Sequence, residues 1–128
     1  MIKLLLVTPE KESFRDFTLA LTKNDDVELF WAATGQEALT VSSENFFDLV
    51  IVDEGVGDMT GIEFMKKLLL INPRINCAAV SPLPHEAFHE ASEGLGVLAQ
   101  LPVAPGKPDA ENLLKRLRDL KVLLNSNF

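Results

Sequence analysis

The order of apolar runs predicts an α/β protein in which one domain, residues 1–128, forms three layers around a doubly wound, five-stranded parallel sheet in the order 2-1-3-4-5. Two observations carry that prediction. Short apolar runs alternate with stretches of helical periodicity along the whole chain. The central run, Leu49–Val52, is also continuous rather than alternating, which suits a strand buried on both faces. It stops at Asp53, and a loop with Gly55, Gly57 and Gly61 follows. Open α/β sheets keep their ligand sites at the carboxyl ends of strands, where Asp53 would stand. A carboxylate there can be a nucleophile, a metal ligand or a loop residue bonding nearby N–H groups, and the residues alone leave all three open.

Each element has its own signal. Ile2–Val7 reads as a buried strand. Thr8-Pro9-Glu10 reads as a helix start, with a hydroxyl cap, Pro in the first turn and an acid after it. Phe14, Phe17, Thr18 and Leu21 share one face of that helix. Asn24-Asp25-Asp26 is a turn, and Val27–Ala32 a second strand. Thr34-Gly35-Gln36-Glu37 opens a short helix through Ala38, Leu39 and Val41. Gly61–Ile71 is a third helix, ended by Pro73. Ile75–Val80 is a fourth strand stopping at Ser81-Pro82, and Pro84–Glu93 a fourth helix ended by Gly94 or Gly96. Val97–Val103 is a weaker fifth strand, with Pro102 suiting an edge position. Asp109 is expected to cap a last helix whose Leu113, Leu114, Leu117, Leu120 and Leu124 form an apolar stripe. That stripe is too short for a coiled coil and fits core packing.

Composition narrows the function. A chain that is 47% hydrophobic and 24% charged reads as an ordinary globular protein. A net charge of −7 and the lack of a basic cluster argue against nucleic acid or an anionic membrane as partner. Cys77 is the single cysteine, in an apolar run, and fits a core residue in a reducing cytoplasm. The apolar start is too short for a signal peptide, and no run reaches membrane-spanning length.

In this order the motifs resemble the receiver domain of two-component response regulators, the CheY-like group with its flavodoxin-like fold. The run D-L-V-I-V-D-E-G-V-G-D-M-T-G resembles that family's third-strand signature, with Asp53 at the phospho-acceptor position and Gly61 eight residues on. Ala32–Leu39 resembles the entry to the family's second helix. Ser81 holds the position of the family's phosphate-contacting hydroxyl, and Gly96–Pro102 resembles the approach to its Lys-Pro pair. The resemblance implies a non-enzymatic phosphorelay module whose acceptor works with a divalent cation, held by two acids after strand one, and with a Lys after strand five.

This chain departs from that pattern. Thr8 and Pro9 stand where the acids belong, and Glu10 is displaced by one residue. Val103 falls at the Lys position, with Ala104 in place of the Pro, and Gln100 at the aromatic switch position. An alternative register puts Leu101-Pro102 there, still without a charge. Lys107-Pro108 is a Lys-Pro pair too far downstream to serve unless its loop folds back. Glu54 and Asp58 are expected to add negative charge near Asp53. The expectation is an atypical receiver, impaired or silent in phosphorylation at Asp53, acting as a protein-interaction module. The alternative is a conventional phospho-acceptor, with Mg²⁺ held by Asp53, Glu10 and the Gly55 carbonyl. By family analogy the partners are a histidine kinase or an effector protein, and helix four, strand five and helix five offer a face for them or for a homodimer.

A separate motif, His85-Glu86-Ala87-Phe88-His89, spells H-E-x-x-H, the zinc-hydrolase pattern. Its helix ends within a few residues, leaving Glu90 or Glu93 as third ligand, and the receiver resemblance puts it on the outside of the sheet. Solvated surface histidines are the expectation, and a zinc-dependent hydrolase the remote alternative.

Overall fold

A computed structural model describes residues 1–125. Five strands, β1 (Ile2–Val7), β2 (Val27–Ala32), β3 (Leu49–Val52), β4 (Cys77–Val80) and β5 (Val97–Leu101), form one parallel sheet in the order β2-β1-β3-β4-β5. The helices are α1 (Arg15–Thr22), α2 (Gly35–Glu44), α3 (Gly61–Ile71), α4 (His85–Ala91) and α5 (Lys107–Asn125). Fold class and strand order are those the sequence predicts. Among the described residues no helix is long and apolar enough to cross a membrane.

Burial explains the order. Every residue of β3 and β4 is buried, and so is all of β1 but Lys3, because helices cover both faces there. The edge strands β2 and β5 are only partly covered. Alternate strand residues feed opposite cores. Leu5, Val7, Val50 and Val52 pack with Phe64, Met65, Leu68 and Phe88 beneath α2, α3 and α4. Leu4, Leu6, Leu49 and Ile51 pack with Phe14, Phe17, Leu113 and Leu117 beneath α1 and α5. Cys77 is buried in the first core, where desolvation pushes its thiol up to about 12. The apolar stripe of α5 is buried at Leu113, Leu114 and Leu117, whereas the Leu124 side chain lies outside what the structure describes.

Several boundaries differ from expectation. The first helix does not start at Thr8; a 3₁₀ turn, Lys11–Phe14, precedes α1, and Thr8 instead bonds into the loop. Ile75 stays out of β4 because the Asn72 side-chain oxygen accepts the Arg74 N–H at 3.1 Å and holds a turn there. β5 ends at Leu101, since Pro102 has no N–H with which to continue the ladder. Helix α4 is shorter than Pro84–Glu93, with Pro84 as its flanking residue. Asp109 is not the residue before α5 but lies inside its first turn. Its carboxylate reaches back to the Gly106 N–H at 2.8 Å, one half of a capping box.

Candidate functional site

The register of β1 and β3 pairs Val7 with Val52, so the next residues, Thr8 and Asp53, emerge side by side at the carboxyl end of the sheet. The Asp53 N–H donates to the Val7 carbonyl at 3.0 Å. The Thr8 hydroxyl donates to Asp53 Oδ2 at 2.7 Å and accepts the Glu10 N–H at 3.0 Å. Thr8 is fully buried. The indole N–H of Trp31, at the end of β2, donates to the Thr8 carbonyl at 2.9 Å, and Lys11 Nζ lies 5.2 Å from the Trp31 ring centroid. The other carboxylate oxygen, Asp53 Oδ1, accepts the Glu54 N–H at 2.7 Å. Both oxygens are therefore engaged by neutral donors. Among the described residues the ion pairs lie elsewhere, at Arg118–Asp26 and Lys121–Asp48.

The loop after Asp53 folds back tightly. Gly55 bridges to Thr60, the Val56 N–H donates to Met59 O at 3.0 Å, and the Gly61 N–H donates to Glu54 O at 2.8 Å. A Cβ on Gly61 would come within 2.5 Å of the Asp53 carbonyl oxygen, so glycine is what lets α3 begin directly over the strand end. Asp58 does not add charge beside Asp53 as expected. It turns to the start of α2, where its oxygens accept the Gly35 N–H at 2.8 Å and the Gln36 N–H at 3.1 Å. Desolvation is the largest single influence on its carboxyl and pushes it up, yet the N–H groups of Gln36, Gly35 and Asp58 itself, with the charge of Lys67, together leave it lowered.

Ser81 follows β4 and lines a cavity that Asp53 also lines. Its hydroxyl oxygen accepts the Leu83 N–H at 3.2 Å. Gln100 on β5 reaches across, its Nε2 donating to Ser81 O at 3.2 Å and Leu83 O at 2.9 Å. Val103 is exposed and lies in a separate hollow with Pro82, Leu83 and Gln100. Lys107 borders a hollow with Asp16, Leu19 and Lys23 against α1, not the one beside Asp53.

The donors present fit a divalent cation poorly. Pro9 brings no side-chain oxygen, Thr8 brings a hydroxyl already used twice, and Pro9 and Glu10 are exposed. Among the described residues no three His, Cys, Asp or Glu side chains converge in a way that could hold a metal ion. That statement covers the H-E-x-x-H segment too. His85 and His89 are exposed on α4, their rings stacked 6.5 Å apart, while Phe88 between them is buried in the core.

With that geometry described, comparison with solved structures is informative. A CheY-like response regulator receiver domain protein from Methanospirillum hungatei JF-1 is similar at TM-score 0.80 and 21% identity, covering 94% of this chain and 97% of that one. The chemotaxis response regulator CheY4 of Vibrio cholerae is similar at TM-score 0.80 and 22% identity, covering 91% and 98%. This chain has the receiver-domain fold. The same fold occurs in a streptococcal family described as redox sensors evolved from two-component response regulators, at TM-score 0.82 and 16% identity, over 98% of this chain and 55% of that one. The sequence matches no protein-family model, and no curated protein is significantly similar to it.

What sequence reasoning missed is the set of contacts around Asp53 and the loop after β4. Trp31 carried no signal on an edge strand. Thr8 was read both as a helix cap and as standing in the place of an acid, but its bond to Asp53, which spans 45 residues, was not foreseen. Gln100 carried no signal in the sequence for its grip on the loop after β4.

Proposed function

We propose that this chain is an atypical receiver domain of two-component signalling, a non-enzymatic protein-interaction module in which phosphorylation at Asp53 is impaired or absent. The observation that carries the reading is the 2.7 Å bond from a buried threonine hydroxyl to the acceptor carboxylate, in the place of a cation and its acids. A carboxylate attacking a phosphate monoester brings two anions together, and like charges at about 4 Å repel by a few kcal/mol in a protein-like dielectric. A hydroxyl and a backbone N–H offset only part of that, and a few kcal/mol on a barrier is about a hundredfold or more in rate.

The grip of Gln100 supports a single standing conformation, because it ties down the loop between β4 and α4 without any phosphoryl group. The face of α4, β5 and α5 is then presented constitutively to a histidine kinase or an effector protein. It is also the face for self-association. Exposed Leu83 and Val103, and a β5 without charged residues, favour a protein partner there. The streptococcal redox sensors set a precedent for a changed task on this fold. Thiol chemistry is not the reading here, since Cys77 is buried and its thiol is held near 12.

The test is incubation with a small phosphodonor and Mg²⁺ followed by intact-mass measurement, with Asp53→Ala as control. No stoichiometric adduct is expected. A full phosphate adduct that disappears in Asp53→Ala would support conventional phospho-acceptance, with Glu10 and Gly55 helping to hold the cation.

A further inference from the structure

Between α3, α4 and the ends of β3 and β4 lies a cavity of about 360 Å³, within the size range of roughly 300–1,000 Å³ usual for small-molecule sites. Its interior is apolar, with Ile62 and Met65 from α3, Phe88 from α4 and Leu83 from the loop between β4 and α4. The void has a cause in the sequence. Gly61, Ala79 and Ala91 all line it, and they contribute little or no side-chain volume. The loop over it is tied by Gln100 through Ser81 and Leu83. Two carboxylates, Asp53 and Glu54, border the cavity, and no Lys, Arg or His lines it. Each Asp53 oxygen has one neutral donor and keeps acceptor capacity for another.

We propose that this cavity binds a small organic cation, an alkyl- or arylammonium whose apolar body packs against Met65 and Phe88 and whose ammonium group meets Asp53 and Glu54. The apolar interior selects for the body by removing its surface from water, and the carboxylates select for positive charge. The site shares Asp53 with the signalling reading but does not rest on it, because the apolar lining and Glu54 belong to the cavity itself.

The test titrates the isotope-labelled full chain with three matched probes, phenethylammonium, phenethyl alcohol and phenylpropionate, following backbone amide shifts by NMR. Saturable shifts at Ile62, Met65, Phe88 and Ala91 are expected with phenethylammonium. It should bind about tenfold tighter than the alcohol, the equivalent of one charge-assisted contact, with phenylpropionate weakest. Asp53→Asn combined with Glu54→Gln should erase the preference for the cation while leaving alcohol binding. Ala91→Leu, at an exposed helix position, should fill the cavity and abolish binding of both. The proposal is overturned by absence of saturable shifts at those residues, by equal binding of cation and alcohol, or by a preference that survives loss of both carboxylates. Unchanged binding in Ala91→Leu would also place the probe elsewhere.

Discussion

Asp48 and Asp53 flank the same strand, one before its first residue and one after its last, and their surroundings are opposites. Asp48 accepts the Lys3 N–H at 2.8 Å and the Lys121 ammonium at 2.7 Å, with only 10% of its side chain exposed. Nearby at the same end of the sheet, Arg118 grips Asp26 through two bonds, at 2.5 and 2.9 Å. Asp53, at the other end, has a hydroxyl and a backbone N–H and no cation among the described residues within salt-bridge distance. Arg118 and Lys121 of α5 serve the end opposite Asp53, where they fasten the helix to the strand ends. Among the described residues the ion pairs go to structure, and the Asp53 carboxylate is met by neutral donors.

The strongest way to break that contrast is to put charge back. A double variant, Thr8→Asp with Pro9→Asp, restores the acids beside Asp53. It should raise Asp53-dependent phosphorylation by a small donor with Mg²⁺ about a hundredfold or more, read as the rate of mass gain. No gain would mean that something other than the missing acids silences Asp53. The next effect is on stability. Asp48→Ala strands the Lys3 N–H and Lys121 and should lower unfolding free energy by about 1–3 kcal/mol, measured by urea titration. Asp53→Asn, which keeps an oxygen for Thr8, should cost less; an equal loss would remove the distinction between the two ends.

A smaller effect concerns pH. The hydrogen bond from the Arg118 guanidinium is the main influence holding the Asp26 carboxyl at about 2, against an ordinary 3.8. A folded value below the unfolded one stabilises the protein above pH 3.8, and that contribution fades as pH falls through about 2. Arg118→Met should flatten the acid limb of stability in that window. The pair is exposed, so the change should be slight, and urea midpoints across the window measure it. Smallest is Ala104, a non-glycine residue with positive φ, 51°. Ala104→Gly should relieve that strain and stabilise by about 1 kcal/mol or less, seen as a small rise in Tm.

The sheet was legible because β1, β3 and β4 are unbroken apolar runs and parallel topology leaves few ways to connect them. Boundaries slipped wherever a short polar side chain or a proline competed with regular structure. The Thr8 hydroxyl bonded a loop instead of capping a helix, Asn72 made a turn ahead of β4, and Pro102 cut β5 short. The place of Asp53 at the carboxyl end of the sheet was readable for the same reason as the sheet, since it directly follows a buried strand. Its partners were not, because the Thr8–Asp53 and Gln100–Ser81 bonds join residues 45 and 19 positions apart, and only the folded sheet brings them together. Asp58 shows the converse error. Nearness in sequence suggested a charge beside Asp53, but the tight loop turned it onto α2.

One measurement bears most directly on the claim that hydrogen bonds replace a cation at Asp53. Trp31 is the single tryptophan and is bonded to the Thr8 carbonyl, so its fluorescence reports on the residue that touches Asp53. On titration with Mg²⁺ through the millimolar range, the account predicts no saturable change in Trp31 emission. A saturable change that is lost in Asp53→Asn would show a cation seated at the carboxylate and contradict it.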